Sequence, residues 1–248
     1  MDTSVSPGVV ETMLAHWRAT QTARLDDVPF AADPNADRLV KDDFFAFLMA
    51  ASLDRRGKAV HIWNVPWKLL QKWGHLDPKI IRTMDAAELA LDPIIKSAPS
   101  TTSRTDLAKT VISVAAVVED VGAGDPHRLL AGSVQEIIIR LKRIYGVGDG
   151  IARMIVIQRL LFFGLNVAPY DGLLPKLDEL VRRVFERTGL VTSAVDDQVA
   201  RALNGYSSVE IAMVDQVAWA VGQTHCFPQA PACSSCILTN ACRRVGVL

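Results

Sequence analysis

The side chains with the clearest chemical potential are the four cysteines, Cys226, Cys233, Cys236 and Cys242, which are the only cysteines of the 248-residue chain. Their spacing is C-x6-C-x2-C-x5-C. Four thiolates on one short segment are a ligand set for zinc or for an iron–sulfur cluster, because both take tetrahedral sulfur ligands. Zinc sites usually consist of two close cysteine pairs, whereas only Cys233 and Cys236 form such a pair here. Disulfides are a third alternative, and a reducing compartment disfavours them.

A second candidate site is the sequence Gly146-Val147-Gly148, which joins two segments of helical periodicity. Glycines permit a tight turn and leave the N–H groups at the start of the second helix uncovered. Such N–H groups bind anions, and a phosphate of a nucleic-acid backbone fits this description. The alternative is an ordinary pair of antiparallel helices with solvated charges. The residues predicted to contact DNA here are Gly146, Val147, Gly148, Gly150, Lys142, Arg143 and Arg153.

The rest of the chain has apolar residues mostly at helical spacing and no long alternating strand, which predicts an all-α protein. Helix-capping residues and prolines mark several starts, and Ser133 with Glu136 forms a capping-box pattern. The predicted helices cover residues 7–21, 37–53, 58–73, 105–121, 133–144, 149–163, 172–187, 196–203 and 207–223, with short helices opening at 77 and 85.

Composition limits the function classes only in part. Half of the residues are hydrophobic and the formal net charge is zero, so a large core is possible and overall charge does not favour any partner. No apolar run approaches the ~20 residues that a membrane helix needs. The N-terminus shows no signal-peptide pattern, so the expected location is the cytoplasm (with the bacterial nucleoid) or, in a eukaryote, the nucleus.

The glycine turn with its flanks, Leu141 to Ile155, resembles the helix-hairpin-helix motif of the base-excision DNA glycosylases. The resemblance continues through Ala168-Pro169-Tyr170-Asp171-Gly172, through the segment Val214 to Cys226, and through the cysteine spacing, which is that of the endonuclease III branch. It covers about residues 133–242 and matches the N-terminal half only in general character.

This resemblance implies a two-lobed, all-α fold with a C-terminal iron–sulfur loop. One lobe is a barrel of helices over residues 34–164, ending in the hairpin at 133–163, and the other combines 1–33 with 165–248. The four cysteines would hold a structural 4Fe–4S cluster. The partner implied is double-stranded DNA with a damaged or mispaired base. The resemblance also implies that the protein acts as a monomer and does not associate with a membrane.

Asp171 takes the position of the essential aspartate of that family, and we also expect it to cap a helix that starts at Gly172. The bifunctional members carry a lysine that attacks the sugar, and this chain has Gly150 at that position. The resemblance therefore implies a monofunctional glycosylase. Two alternatives stay open: a bifunctional enzyme with a relocated amine, and a non-catalytic protein that binds DNA structures.

The flipped base needs a pocket, and the gap left in the duplex needs a wedge. In the family the wedge follows the early apolar helix, which here places Arg55 or Arg56 in that role, although a glutamine is more usual. Trp63 and Trp67 lie one helical turn apart and are a possible stacking wall, with core packing as the alternative. The full set of predicted pocket residues is His61, Trp63, Asn64, Trp67 and Tyr170.

Overall fold

The computed structural model describes residues 8–20, 29–55, 59–98 and 100–247. Every regular element in these ranges is helical, which confirms the all-α class. The α-helices are α1 Gly8–Thr20, α2 Pro34–Asp42, α3 Phe44–Leu53, α4 Ala59–Ile62, α5 Val65–Trp73, α6 Pro78–Ile81, α7 Ala86–Ala90, α8 Pro93–Lys96, α9 Arg104–Asp120, α10 Val134–Leu141, α11 Asp149–Phe162, α12 Glu179–Thr188, α13 Asp196–Ala202 and α14 Ser208–Thr224. No helix of the described part is both long enough and apolar enough to span a membrane.

The chain divides into two compact units, Leu25–Val156 and Met1–Arg24 with Ile157–Leu248. The predicted boundaries at residues 34 and 164 differ from these, and the division falls inside α11. The glycine hairpin belongs to the first unit, whereas Asp171 and the cysteines belong to the second.

Helix α3 is the core of the first unit, and all ten of its residues are buried. It has apolar residues on every side, as expected of a helix that neighbours surround completely. Helices α2, α5 and α9 pack against it. Asp43 accepts a hydrogen bond from the Ala46 N–H at 3.1 Å and so starts α3. This cap divides the predicted helix over residues 37–53 into α2 and α3.

Helix α14 is the core of the second unit, where α1 and α12 pack against it. Ser207 and Glu210 form a capping box at its start, which satisfies two N–H groups of the first turn. The helix runs to Thr224, and Cys226 follows two residues later. The cysteine segment is therefore attached directly to the central helix of its unit.

The predicted helix over residues 172–187 is wrong at its start, because α12 begins only at Glu179. Pro175 lacks an N–H group and disfavours helical backbone at the residue before it. Asp178 is the cap instead, and its side chain accepts from the N–H groups of Leu180 and Val181 at 3.0 and 3.1 Å. Asp171 therefore does not cap this helix and precedes an extended connection.

Candidate functional site

The glycine hairpin has the predicted helix–turn–helix geometry. Helix α10 begins with the Ser133–Glu136 capping box, and α11 begins at Asp149. Gly146 has a φ of +79°, a left-handed conformation that favours glycine. The Val147 N–H donates to the Ile144 carbonyl at 3.0 Å, and the Val147 side chain is buried. The turn is thus anchored from inside by one apolar side chain.

The first turn of α11 presents its backbone N–H groups to solvent. Within the described ranges, the N–H groups of Asp149, Gly150 and Ile151 have no hydrogen-bond partner. A Cβ added to Gly148 would contact no atom within 4 Å, so the space above the turn is open. N–H groups at a helix start, together with the helix dipole, are an arrangement that favours an anion.

The charges around this turn have unequal roles. Lys142 donates to the Asp149 carboxylate at 2.8 Å, and both side chains are exposed. Arg143 is exposed and Arg153 is half-buried. Arg159, farther along α11, lies over the Phe163 ring at 4.4 Å, and burial lowers its pKa to about 10. Asp149 is a negative charge at the position that a phosphate would take, and its pairing with Lys142 reduces that repulsion.

Arg55 lies against the turn from the end of α3. Its guanidinium lies so close that a Cβ on Gly146 would come within 1.8 Å of Nη1. The guanidinium also donates to the Thr110 hydroxyl, which donates to the Asp106 carbonyl at 2.7 Å and lies 3.2 Å from the Tyr145 carbonyl. Arg55 thus supports the hairpin inside its own unit, and this position does not suit the wedge role predicted for it. Arg56, the other predicted wedge, lies outside the described residues.

Asp171 lies on the connection between α11 and α12, just after a turn at Pro169 and Tyr170. Its side chain is half-buried, and Gly172 beside it has a φ of +72°. Tyr170 is 74 % exposed. Asp171 is therefore partly exposed at the end of a turn, without the helix dipole that the sequence-based hypothesis gave it.

Helix α14 holds this connection on both sides of Asp171. The Ser208 N–H donates to the Pro169 carbonyl at 2.5 Å. The Lys176 N–H donates to Asp215 Oδ1 at 2.6 Å. Asp215 is only 3 % exposed, and burial raises its pKa to about 7, while the Lys176 N–H acts in the opposite direction. The prediction missed Asp215, although a carboxylate between the apolar residues Val214 and Val217 of a helix was a signal for it.

Of the residues predicted to form the base pocket, two are buried in the core. Trp63 is 2 % exposed, stacks on Phe30 with ring centroids 5.2 Å apart, and donates to Asp54 at 3.2 Å. The Oδ1 atom of Asn64, itself buried, accepts the Asp33 N–H at 3.0 Å. These two side chains belong to the core, which corrects their assignment as pocket residues.

The remaining pocket residues keep some exposure. His61 is exposed and Trp67 is half-buried, and both belong to the first unit. Tyr170 belongs to the second unit and keeps the exposure described above. A stacking wall made of Trp63 and Trp67 together is excluded by the burial of Trp63 in the core.

The four cysteines line one cavity of the second unit. The N–H groups of Leu238 and Arg244 donate to the sulfurs of Cys236 and Cys242, each at 3.4 Å. Burial raises the pKa of both thiols, and these N–H groups act against that effect. In the described ranges, no group of three or more His, Cys, Asp or Glu residues is arranged to hold a metal ion. The donors that line this cavity, four sulfurs with N–H groups directed at two of them, are of the chemical type that an anionic iron–sulfur cluster takes.

Two arginines of α12 hold the cysteine segment by hydrogen bonds. The sequence analysis did not predict this role. Arg183 donates to the carbonyls of Gly222 and Cys226, where α14 ends. Arg187 donates to the Phe227 and Pro228 carbonyls and approaches the Cys226 sulfur to 3.6 Å. These guanidinium groups satisfy one carbonyl of the last turn of α14, at Gly222, and three carbonyls of the cysteine segment that follows it.

Comparison with solved structures places this geometry in a known fold. A structure described as a thermostable thymine-DNA glycosylase matches with a TM-score of 0.62 at 18% identity, covering 96% of this chain and 95% of that one. A non-covalent endonuclease III–DNA complex matches with a TM-score of 0.62 at 19% identity, covering 98% of this chain and 96% of that one. The chain has the helix-hairpin-helix glycosylase fold. The sequence-based prediction of this fold is confirmed, although no family model and no curated protein matches the sequence.

Proposed function

We propose that the protein is a DNA glycosylase that hydrolyses the N-glycosidic bond of a damaged or mispaired base. The carrying observation is the fold shared, over nearly the whole chain, with a thymine-DNA glycosylase and an endonuclease III solved on DNA. Within that fold, the half-buried Asp171 lies on a loop held by α14. The base is taken out of the duplex before cleavage, because its glycosidic bond is otherwise inaccessible to the carboxylate.

Asp171 is the proposed catalytic residue. Cleavage of the bond builds positive charge on the sugar, and a carboxylate beside C1′ stabilises that charge. The same carboxylate orients or deprotonates the attacking water. Partial burial strengthens these electrostatic effects, because less water screens the carboxylate.

The hairpin is the proposed grip on double-stranded DNA. The N–H groups at the start of α11 bind one phosphate, and Lys142, Arg143 and Arg153 add positive charge around it. These contacts position a monomer on the duplex without reading its sequence. Tyr170, in the same unit as Asp171, remains a side chain proposed to meet the flipped base.

We propose that base release is not coupled to strand cleavage. Gly150 leaves no amine at the hairpin position, and Lys142 is paired with Asp149 at 2.8 Å. A Schiff base with the sugar, which a nucleophilic lysine would form, is reduced by borohydride to a permanent adduct. We expect no adduct with abasic or lesion-bearing DNA, and a trapped adduct would establish the bifunctional alternative.

The four cysteines are proposed to hold a 4Fe–4S cluster that cross-links the C-terminal loop. Its support is the cavity that all four line and the N–H donors to Cys236 and Cys242. We expect the purified protein to absorb broadly near ~400 nm and to contain iron. Cys236→Ser should lower both signals and the melting temperature, with Ser235→Ala as a matched control. A colourless protein that contains zinc would contradict the cluster.

The function itself is tested with a panel of duplexes, each with one alkylated, deaminated, oxidised or mispaired base. Alkali reveals an abasic site as a strand break. We expect the wild-type protein to produce such breaks with at least one lesion class. Tight binding without release of any base would favour the non-catalytic alternative.

A further inference from the structure

The connection that carries Asp171 is long and has no helical hydrogen bonds of its own between Pro169 and Asp178. It contains Gly172 in the left-handed region and Pro175, two residues that do not stabilise regular structure. A segment of this kind samples many conformations unless other elements restrain it. The contacts that α14 makes with this connection therefore determine where Asp171 lies.

These restraints bracket Asp171. On its N-terminal side, the Ser208 N–H donates to the Pro169 carbonyl, and the Ser208 hydroxyl lies 3.5 Å from the Ala168 carbonyl. On its C-terminal side, Asp215 accepts the Lys176 N–H at 2.6 Å. Ser208 and Asp215 are two helical turns apart on α14, so they lie on the same face of it. One rigid helix therefore holds both ends of the loop.

Asp215 occupies a position at which a carboxylate costs stability. It is 3 % exposed, and burial is the main cause of its raised pKa. The nearby Asp178 raises that pKa further, whereas the Lys176 N–H, the Lys176 charge and Gln216 lower it. An apolar side chain would fill the position without the desolvation cost, but it would leave the Lys176 N–H without an acceptor.

We propose that Asp215 is a positioning residue, which with Ser208 fixes the loop so that Asp171 stays in reach of the sugar. The inference rests on the proposed function, because it assigns Asp171 the catalytic role. Asp215 does not touch the reacting atoms and acts only through the backbone at Lys176. A displacement of the carboxylate by about 1 Å is enough to lower a catalysed rate roughly 10²-fold.

The first test compares Asp215→Asn with Asp215→Leu. Asparagine keeps an oxygen for the Lys176 N–H, whereas leucine removes it and relieves the buried charge. We expect the Asn variant to keep the single-turnover rate of base release. We expect the Leu variant to lose roughly 10²-fold in that rate while its DNA affinity and melting temperature do not fall. Equal rates for Leu and wild type would overturn the proposal, as would a parallel loss of rate, affinity and melting temperature in both variants.

The second test uses Ser208, which is the first residue of α14. Proline is tolerated at this position of a helix, and the preceding Ser207 already has extended backbone. Ser208→Pro removes the N–H bond to Pro169, whereas Ser208→Ala keeps it and removes only the hydroxyl. We expect a rate loss for Pro and none for Ala. A loss in Ala equal to that in Pro would show that the N–H bond is not what matters.

Amide hydrogen exchange at Lys176 separates this inference from the proposed function. The Lys176 amide should be protected in wild type and in Asp215→Asn, and it should exchange freely in Asp215→Leu. This result needs no DNA and no activity. Free exchange already in wild type would overturn the restraint itself. A protected amide in a protein that releases no base would overturn only the proposed function.

Discussion

The hairpin turn and the Asp171 loop are both connections between helices with a left-handed glycine, yet they are held in different ways. The hairpin is built from close neighbours in the sequence, since Val147 bonds to Ile144 and Gly146 supplies the turn. The Asp171 loop is held by α14, and its Lys176 restraint comes from a residue 39 positions away. Local sequence therefore specifies the turn that is proposed to bind DNA, with Arg55 of α3 as a distant support. Tertiary packing specifies the position of the proposed catalytic group.

Of the changes that compare the Asp171 loop with the hairpin, a substitution of Asp215 should have the largest effect on the free energy of unfolding. Burial raises its pKa from 3.8 to about 7, so the folded protein retains this proton over a pH range in which the unfolded chain releases it. The contribution of Asp215 to stability is therefore fully favourable below about pH 4 and is lost as the pH rises to about 7. Asp215→Asn should be more stable than wild type at pH 8 by a few kcal/mol, and less so at pH 5.

Urea unfolding at both pH values measures this difference. Asp197→Asn is a control, because it removes an exposed carboxylate of the same unit. A stability difference between wild type and Asp215→Asn that does not change with pH would contradict the buried, proton-retaining carboxylate.

At the hairpin, the sharpest change is Gly146→Ala. The left-handed backbone and the collision with Arg55 both oppose a Cβ at this position. We expect a loss of about 1–3 kcal/mol in the free energy of unfolding. Gly148→Ala is the matched control, since its Cβ would meet no atom within 4 Å. The loss caused by Gly146→Ala should be smaller in an Arg55→Ala background than in wild type, because the collision is then absent. Equal losses in the two backgrounds would show that Arg55 does not press on the turn.

The smallest expected effect concerns Asp149 and the affinity for DNA. Asp149→Asn removes the negative charge at the start of α11 and frees Lys142 from its 2.8 Å ion pair. We expect roughly two- to fivefold tighter binding of duplex DNA at low salt, with a steeper salt dependence. Asp120→Asn makes the same charge change in the exposed pair with Arg82, away from the hairpin. Equal effects of the two variants would mean that the hairpin is not the DNA contact.

The sequence was sufficient for the elements whose signals are local. The capping box at Ser133 and the glycine turn each depend on residues close in the chain. The helices α10 and α11 lie near their predicted bounds for this reason. The start of α12 was missed because Asp171-Gly172 and Asp178-Glu179 are both plausible helix starts, and Pro175 between them decides in favour of the second.

Features set by distant contacts were not accessible in the same way. The aromatic ring of Trp63 suits the wall of a base pocket, but its stacking on Phe30 and its hydrogen bond to Asp54 place it in the core. The sequence position of Arg55 suggested a wedge, but its guanidinium packs against Gly146, where a larger residue would leave no room for it. The carbonyl partners of Arg183 and Arg187 lie about 40 positions away. Residue type and spacing do not define such partners, because tertiary packing determines which groups come together.

The central claim is that Asp171 performs base release on a DNA-binding helical scaffold. Its most direct test is the single-turnover rate of wild type and of Asp171→Asn, on the duplex from the lesion panel that gives the most abasic sites. Asp171→Asn should release the base roughly 10²–10⁴-fold more slowly than wild type, with unchanged affinity for the same duplex. Base release by Asp171→Asn at the wild-type rate would contradict it.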